Sequence, residues 1–256
     1  MNNPHSNPSA QTEQAELSAE FRLLGRIDWS TADRLQQRLI YEAGESNRPS
    51  ITVLFCEHPL LLTVGRDGSR QDIHLTDEQL RQRQIDVQWV NRGGGCILHG
   101  PGQLCVYPIV ALQQTGWSVG QFVERFQQGI VSAFSTLCLD TKTMNSSAAI
   151  WGRSGILAAL GIGVRYWVTS FGAYINVNPA MSNYRAIDTV SASEGATKNM
   201  GSLLGEKRQS LPMSRVRAAL IEGLAESFGC PKYNLQTGHR YLLGHTPNGN
   251  AVAPAS

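Results

Sequence analysis

The segment from Asn91 to Gln103 holds the residue types best suited to chemistry. It reads Asn-Arg-Gly-Gly-Gly-Cys-Ile-Leu-His-Gly-Pro-Gly-Gln, five glycines in thirteen residues. Glycine has no Cβ, so such backbone can approach a ligand closely and offer N–H donors to an anion or a carbonyl oxygen. Arg92 adds a permanent cation, His99 a ring that gives or takes a proton near neutrality, and Gln103 an amide. The same composition also suits a tight structural turn whose histidine is satisfied and inert. The chain has no GxxxxGK followed by Ser or Thr, so a P-loop is excluded. It also has no GxGxxG between a strand and a helix, so a dinucleotide fingerprint is unsupported.

Other groups are weaker. Cys56-Glu57-His58-Pro59 puts a thiol two residues from an imidazole at the end of a strand; a buried cysteine beside a loop histidine is the plainer reading. Gly65-Arg66-Asp67-Gly68 reads as a turn whose arginine could reach a ligand carboxylate. His58, His74, His99, His239 and His245 are scattered without ligand spacing, so no metal site is expected. There is no GxSxG elbow.

The elements that must position these residues alternate between strands and helices. Phe21–Leu24, Ile51–Cys56, Val87–Val90 and Leu104–Val110 are strand candidates, the last two flanking the glycine-rich segment. Ala149–Trp151, Ile156–Val164, Tyr166–Thr169 and Ala173–Val177 follow as short strands. Ser30–Ala43 has apolar residues near helical spacing. Thr76 opens a short helix, with Gln79 completing a capping box. The clearest helix spans Val119–Leu137, where Phe122, Phe126, Ile130 and Phe134 lie on one stripe. A last helix runs from about Pro212 to Phe228, closed by Gly229. The pattern implies an α/β chain of the α+β kind, with helices packed on a mostly antiparallel sheet.

Composition sets the outer limits. The chain has 256 residues, 41% hydrophobic and 16% charged, and a net charge of +2 from 22 basic and 20 acidic residues. That argues against a dedicated nucleic-acid binder. The longest near-apolar run, Gly155–Val164, is about half of the roughly 20 residues a spanning helix needs, so no membrane span is expected. Residues 1–19 are polar, lack the pattern of a signal peptide, and read as a disordered lead; a cytoplasmic location is expected. Residues 20–243 form the ordered unit and 244–256 a loose tail. Cysteines 56, 96, 105, 138 and 230 form no CxxC pair and read as free thiols.

Arg92-Gly93-Gly94, then His99-Gly100-Pro101-Gly102-Gln103, then Val106-Tyr107-Pro108 resembles the lipoyl(octanoyl) transferases of lipoate biosynthesis. Leu24-Gly25-Arg26-Ile27-Asp28, Glu57-His58-Pro59, Thr63-Val64-Gly65-Arg66, Ala158-Ala159-Leu160-Gly161, Trp167-Val168-Thr169 and Gly172 with Asn176-Val177-Asn178 continue the likeness in order, over roughly residues 22–230. The resemblance implies one domain shared with biotin and lipoate ligases. It implies that a cysteine takes an octanoyl group from acyl carrier protein and yields it to a lysyl amine of a lipoyl domain, without a metal or cofactor. A nearby lysine would favour the thiolate. The implied acyl-binding positions are Arg92, Gly93, Gly94, Gly95, Cys96, Ile97, Leu98 and His99. Ala159, Leu160 and Gly161, with Gly172, Ala173 and Tyr174, complete the set.

Three positions depart from that pattern. The family's lysine falls on Ile156 and its cysteine on Val190, and no cysteine occurs between 139 and 229. Leu98 stands where the family usually has tyrosine. Three readings follow. In the first, the chain still transfers an acyl group, directly or through a relocated nucleophile. Cys96 is the substitute considered, although strand alternation puts it on the side of Leu98 and away from His99. Ser191 and Ser193 lie near the lost cysteine but have no visible base. In the second, a catalytically inactive protein binds an acyl or lipoyl group or a carrier domain. In the third, a ligase-like enzyme activates an acid with ATP.

Overall fold

The computed structural model describes residues 17–46, 48–144, 147–187 and 200–242. The eight-stranded sheet contains β1 (Ser18–Arg26), β2 (Ser50–Glu57), β6 (Gln103–Val110), β7 (Lys142–Met144), β8 (Ser147–Gly152), β9 (Gly155–Arg165), β10 (Val168–Asn176) and β11 (Tyr233–Thr237). Its order is β11-β1-β2-β6-β10-β9-β8-β7. The β11–β1 and β1–β2 pairs are parallel; the remaining pairs are antiparallel, as the sequence implies. A second sheet has the order β4-β3-β5, from β3 (Leu61–Val64), β4 (Asp86–Trp89) and β5 (Cys96–His99).

Alternation along each strand separates two interiors. Val53, Phe55, Val106 and Ile175 join a core with Phe122, Phe126 and Phe134 of α4 (Val119–Thr136) and Val216, Leu220 and Leu224 of α6 (Met213–Ser227). Leu54, Cys56, Cys105, Tyr107 and Tyr174 join a different cluster with Leu35, Leu39 and Ile40 of α1 (Trp29–Glu45). Each long helix is explained locally. Asp28 caps α1 by accepting from Thr31 N. Ser118 and Gln121 form a capping box on α4. Gly229 follows α6 at φ +72, the left-handed conformation that ends a helix at low cost. The short α2 (Asp77–Gln82) begins with the expected Thr76–Gln79 box. Helices α3 (Leu112–Thr115) and α5 (Leu203–Lys207) are single turns.

One sequence expectation is corrected. Tyr166–Thr169 and Ala173–Val177 are not two strands; Val168–Asn176 is one strand, β10, and Tyr166 and Trp167 form the turn before it. Both turn residues have positive φ, 52° and 61°, the conformation that a two-residue hairpin between right-twisted strands favours. Gly172, which falls between those two segments, lies inside the strand. A Cβ there would sit 1.9 Å from Val106 O, so the β6–β10 approach requires glycine. Strands β3, β7 and β11 were not foreseen, and β5 entered only through the alternation read at Cys96. Strand β1 begins at Ser18, while residues 1–16 and the tail from 244 lie outside the described residues.

Candidate active site

The site lies where the small sheet faces the α1 side of the large one. Antiparallel pairing of β3 with β5 sets Thr63 opposite Ile97 and Leu61 opposite His99. Cys96 and Leu98 turn outward, into a cluster with Leu62, Val64 and Ile73. Thr63 and His99 turn inward, toward Cys56, Cys105, Tyr107 and Tyr174 of the large sheet.

A buried polar network joins these groups. Arg92 Nη2 donates to Thr63 O at 2.9 Å and Thr63 Oγ1 at 2.8 Å, and Nη1 donates to Gly93 O at 3.0 Å. Its guanidinium carbon lies 5.3 Å from the Tyr174 ring centre, and its Nε has no partner among the described residues. Among those residues its hydrogen bonds all end on neutral oxygens. His99 Nε2 lies 2.9 Å from Thr63 Oγ1, and His99 Nδ1 lies 3.6 Å from Cys105 Sγ. His58 Nδ1 lies 2.8 Å from Ile27 O; a carbonyl only accepts, so Nδ1 carries hydrogen. That leaves His58 Nε2 toward Tyr107 Oη at 3.0 Å and Cys56 Sγ at 3.7 Å. Cys56 and Cys105 are directly opposed across the β2–β6 ladder.

These neighbours set protonation. Burial alone would raise Cys105, but the Cys56 thiol and the His58 and His99 rings bring it well below the ordinary thiol value. Burial, aided by the adjacent Cys105, pushes Cys56 well above that value. Burial holds His99 below the usual imidazole value. Burial also opposes charge on His58, yet Cys105 and the Ile27 carbonyl outweigh it and raise that ring. Two adjacent thiols and two adjacent imidazoles are thus driven apart, the pattern that assigns acid and base roles.

The sequence candidates divide. Arg92, His99 and Tyr174 converge on this network. Ile97, Ala159 and Ile156 share a buried cluster with Cys105 and Tyr174. Leu160 and Ala173 instead face the α4–α6 core. Gly161 lies against the Arg92 stem: a Cβ there would meet Gly93 O at 2.9 Å and Arg92 Cδ at 3.0 Å. Gly93 N donates to Ile162 O. Gly94 and Gly95 form a backbone ladder with the 65–67 turn, and Asp67 Oδ2 accepts from Gly94 N. Cys96 and Leu98 are buried on the far side of β5 from His99, as alternation implied. Val190, Ser191 and Ser193 lie outside the described residues. Among the described residues no group of three or more His, Cys, Asp and Glu is placed to hold a metal ion. Cys105, Tyr107 and Thr63 were not read as site residues. Strand alternation after Gln103 carried the signal, because it puts Gln103, Cys105 and Tyr107 on one face.

Comparison with known proteins agrees with this architecture. A bi-partite lipoate protein ligase from Thermoplasma acidophilum, studied with its E2 lipoyl domain, superposes with a TM-score of 0.70 at 14% identity, covering 88% of this chain and 89% of that one. A lipoate-protein ligase A bound with ATP gives 0.68 at 15%, covering 86% and 90%. Both share the fold. An octanoyltransferase of Chloroflexus aggregans is 31% identical over 208 residues, covering 80% of this chain and 92% of the relative. Another, from Porphyromonas gingivalis, is 29% identical over 194 residues, and the match spans only 39% of its length. Residues 29–225 match the lipoyl protein ligase A/B catalytic domain, and the chain belongs to that family.

Proposed function

We propose that the chain handles a medium-chain acyl group, octanoyl first, and passes it from acyl carrier protein to a lysine of a lipoyl domain. The carrying observation is the meeting of Arg92 and His99, from the glycine-rich segment, with Tyr174 at one buried junction of a lipoyl-ligase fold. Relatives named octanoyltransferase at about this level of identity support the same substrate class. A convergent set of polar groups set in apolar walls suits an acyl carbonyl with a hydrocarbon tail.

Ile156 distinguishes this reading from simple inheritance of the family chemistry. It is 0% exposed and packed among hydrocarbon where the resemblance places an amine. It favours a second reading, in which the chain binds an acyl or lipoyl group, or its carrier domain, without turnover. Incubating the full chain with octanoyl-loaded acyl carrier protein and an apo lipoyl domain separates the two. Octanoylation of the domain, followed by mass spectrometry, is the expected result. Tight binding with no octanoylated domain would establish the second reading. The residue alignment has its own test: Ile156→Lys combined with Val190→Cys should create an octanoyl thioester at position 190.

A further inference from the structure

Cys105 has the surroundings of a nucleophile. It stands within β6, on the face shared with Tyr107, and belongs to the same buried cluster as Ile156. Its Sγ is 3.6 Å from His99 Nδ1, within reach of an S–H···N hydrogen bond. The opposite ring nitrogen is held 2.9 Å from Thr63 Oγ1, and Arg92 fixes that hydroxyl from the other side at 2.8 Å. A thiol, a base within reach, and a third group that orients the base form the pattern of covalent catalysis. The pattern is complete without the amine missing at position 156.

We propose that Cys105 is the acyl-accepting nucleophile of this chain, with His99 as its proton acceptor and Thr63 as the positioning residue for the ring. This rests on the acyl-transfer reading above. With His99 Nε2–H donating to Thr63 Oγ1, Nδ1 presents its lone pair to the thiol. The Cys105 proton passes to Nδ1, and Sγ bonds to the thioester carbonyl carbon. The bond from that carbon to the carrier sulfur breaks, and the carrier thiolate takes the proton from His99. In the second half, a lysyl amine attacks the Cys105 thioester. The new C–N bond forms, the C–Sγ bond breaks, and the proton leaving the amine returns through His99 to Sγ. The ledger is one thioester and one amine consumed, one amide and one thiol formed.

One further feature fits. Cys56, held as the protonated thiol, can donate to Cys105 Sγ from directly across the ladder.

The test uses the full chain and octanoyl-loaded acyl carrier protein, quenched in acid and read by intact mass and peptide mapping. One octanoyl group, labile to hydroxylamine, is expected on the peptide containing Cys105. Cys105→Ser, which preserves shape, should remove the adduct and slow transfer to an apo lipoyl domain by roughly 10³-fold or more. Cys138→Ser and Cys230→Ser should keep both. His99→Asn should slow acylation by roughly 10²–10⁴-fold and abolish its dependence on an imidazole-range ionisation. Thr63→Val should slow acylation and Thr63→Ser restore it, a rescue that a purely structural role would not give. Circular dichroism confirms that each variant is folded. Octanoylated lipoyl domain with full activity in Cys105→Ser, or an adduct mapped to Cys96 or a serine, overturns the inference and leaves the acyl-transfer reading standing. An adduct on Cys105 with no onward transfer supports the inference and overturns that reading. Neither adduct nor transfer overturns both.

Discussion

The two faces of the eight-stranded sheet come from alternate residues of the same strands, yet they differ in kind. Toward α4 and α6, β2 and β6 present Val53, Phe55, Leu104 and Val106, all apolar and buried. Toward α1 and the small sheet, the same strands present Cys56, Cys105 and Tyr107, met by His58 and His99. The first face is held by non-directional burial, which adds stability wherever packing is close. The second depends on distances and protonation, with most of its polar atoms paired individually and Arg92 Nε left without a partner among the described residues. The contrast teaches that stability and reactivity are divided across the thickness of one sheet. Chemistry can then vary on one side while the other keeps the fold.

Breaking the apolar face should cost most. Phe126 stacks against both Phe122 and Phe228, with ring centres at 5.8 and 6.4 Å, and those two rings also stack on each other at 6.3 Å. Phe126→Ala should destabilise by about 3–5 kcal/mol, read from the urea midpoint, while the acylation rate per folded molecule stays unchanged. The reactive face is sharpened by Ile156→Lys alone. A buried ammonium is disfavoured, so the folded-state lysine pKa falls below its unfolded value of about 10.4. The folded state then binds fewer protons than the unfolded one. The resulting loss of about 3 kcal/mol is full below the folded pKa and fades as pH rises toward about 10, in urea titrations from neutral to alkaline pH.

Smaller effects follow. Tyr107→Phe removes the hydroxyl 3.0 Å from His58 Nε2 and should cost about 1 kcal/mol by the same measurement, far less than Phe126→Ala. Outside both interiors, Asp28→Ala removes the α1 cap and should cost about 1 kcal/mol at neutral pH. Partial burial opposes ionisation of Asp28, but Ser30 and Thr31 donate to it and lower its pKa to about 2. A depressed carboxylate stabilises above its unfolded pKa. The difference between wild type and Asp28→Ala should therefore shrink as pH falls from near 4 to about 2.

Legibility followed the same division. The apolar stripe of α4, the Thr76–Gln79 capping box and the flanking strands were open to reading because period and local chemistry decide them. Strand β11 was hidden because it is only five residues long and exposed throughout, and its brief alternation of Tyr233 and Leu235 with Asn234 and Gln236 is too short to mark a strand. Strand β5 lay inside the glycine-rich segment, where composition suggests a loop; its pairing with β3 is a long-range fact. Arg92 and His99 announced themselves by type and spacing. Cys105 did not, because a cysteine within an apolar strand looks like ordinary core until its neighbours are known. Its environment comes from β2 and β5, remote in sequence or hidden in a loop. Cys96 attracted more notice than Cys105 because it sits beside glycines, but the pleat sends it the wrong way.

The pairing of β11 with β1 carries a consequence for biogenesis. Tyr233 stacks edge-on against Phe21 at 5.1 Å, and Gly238 N donates to Leu23 O. Among the described residues, the first strand along the chain is paired with the last. A nascent chain emerging from the ribosome therefore exposes the outer rim of β1 to stray partners until nearly the whole domain has been synthesised. Holding that rim shielded during synthesis is a task for the cell's folding machinery.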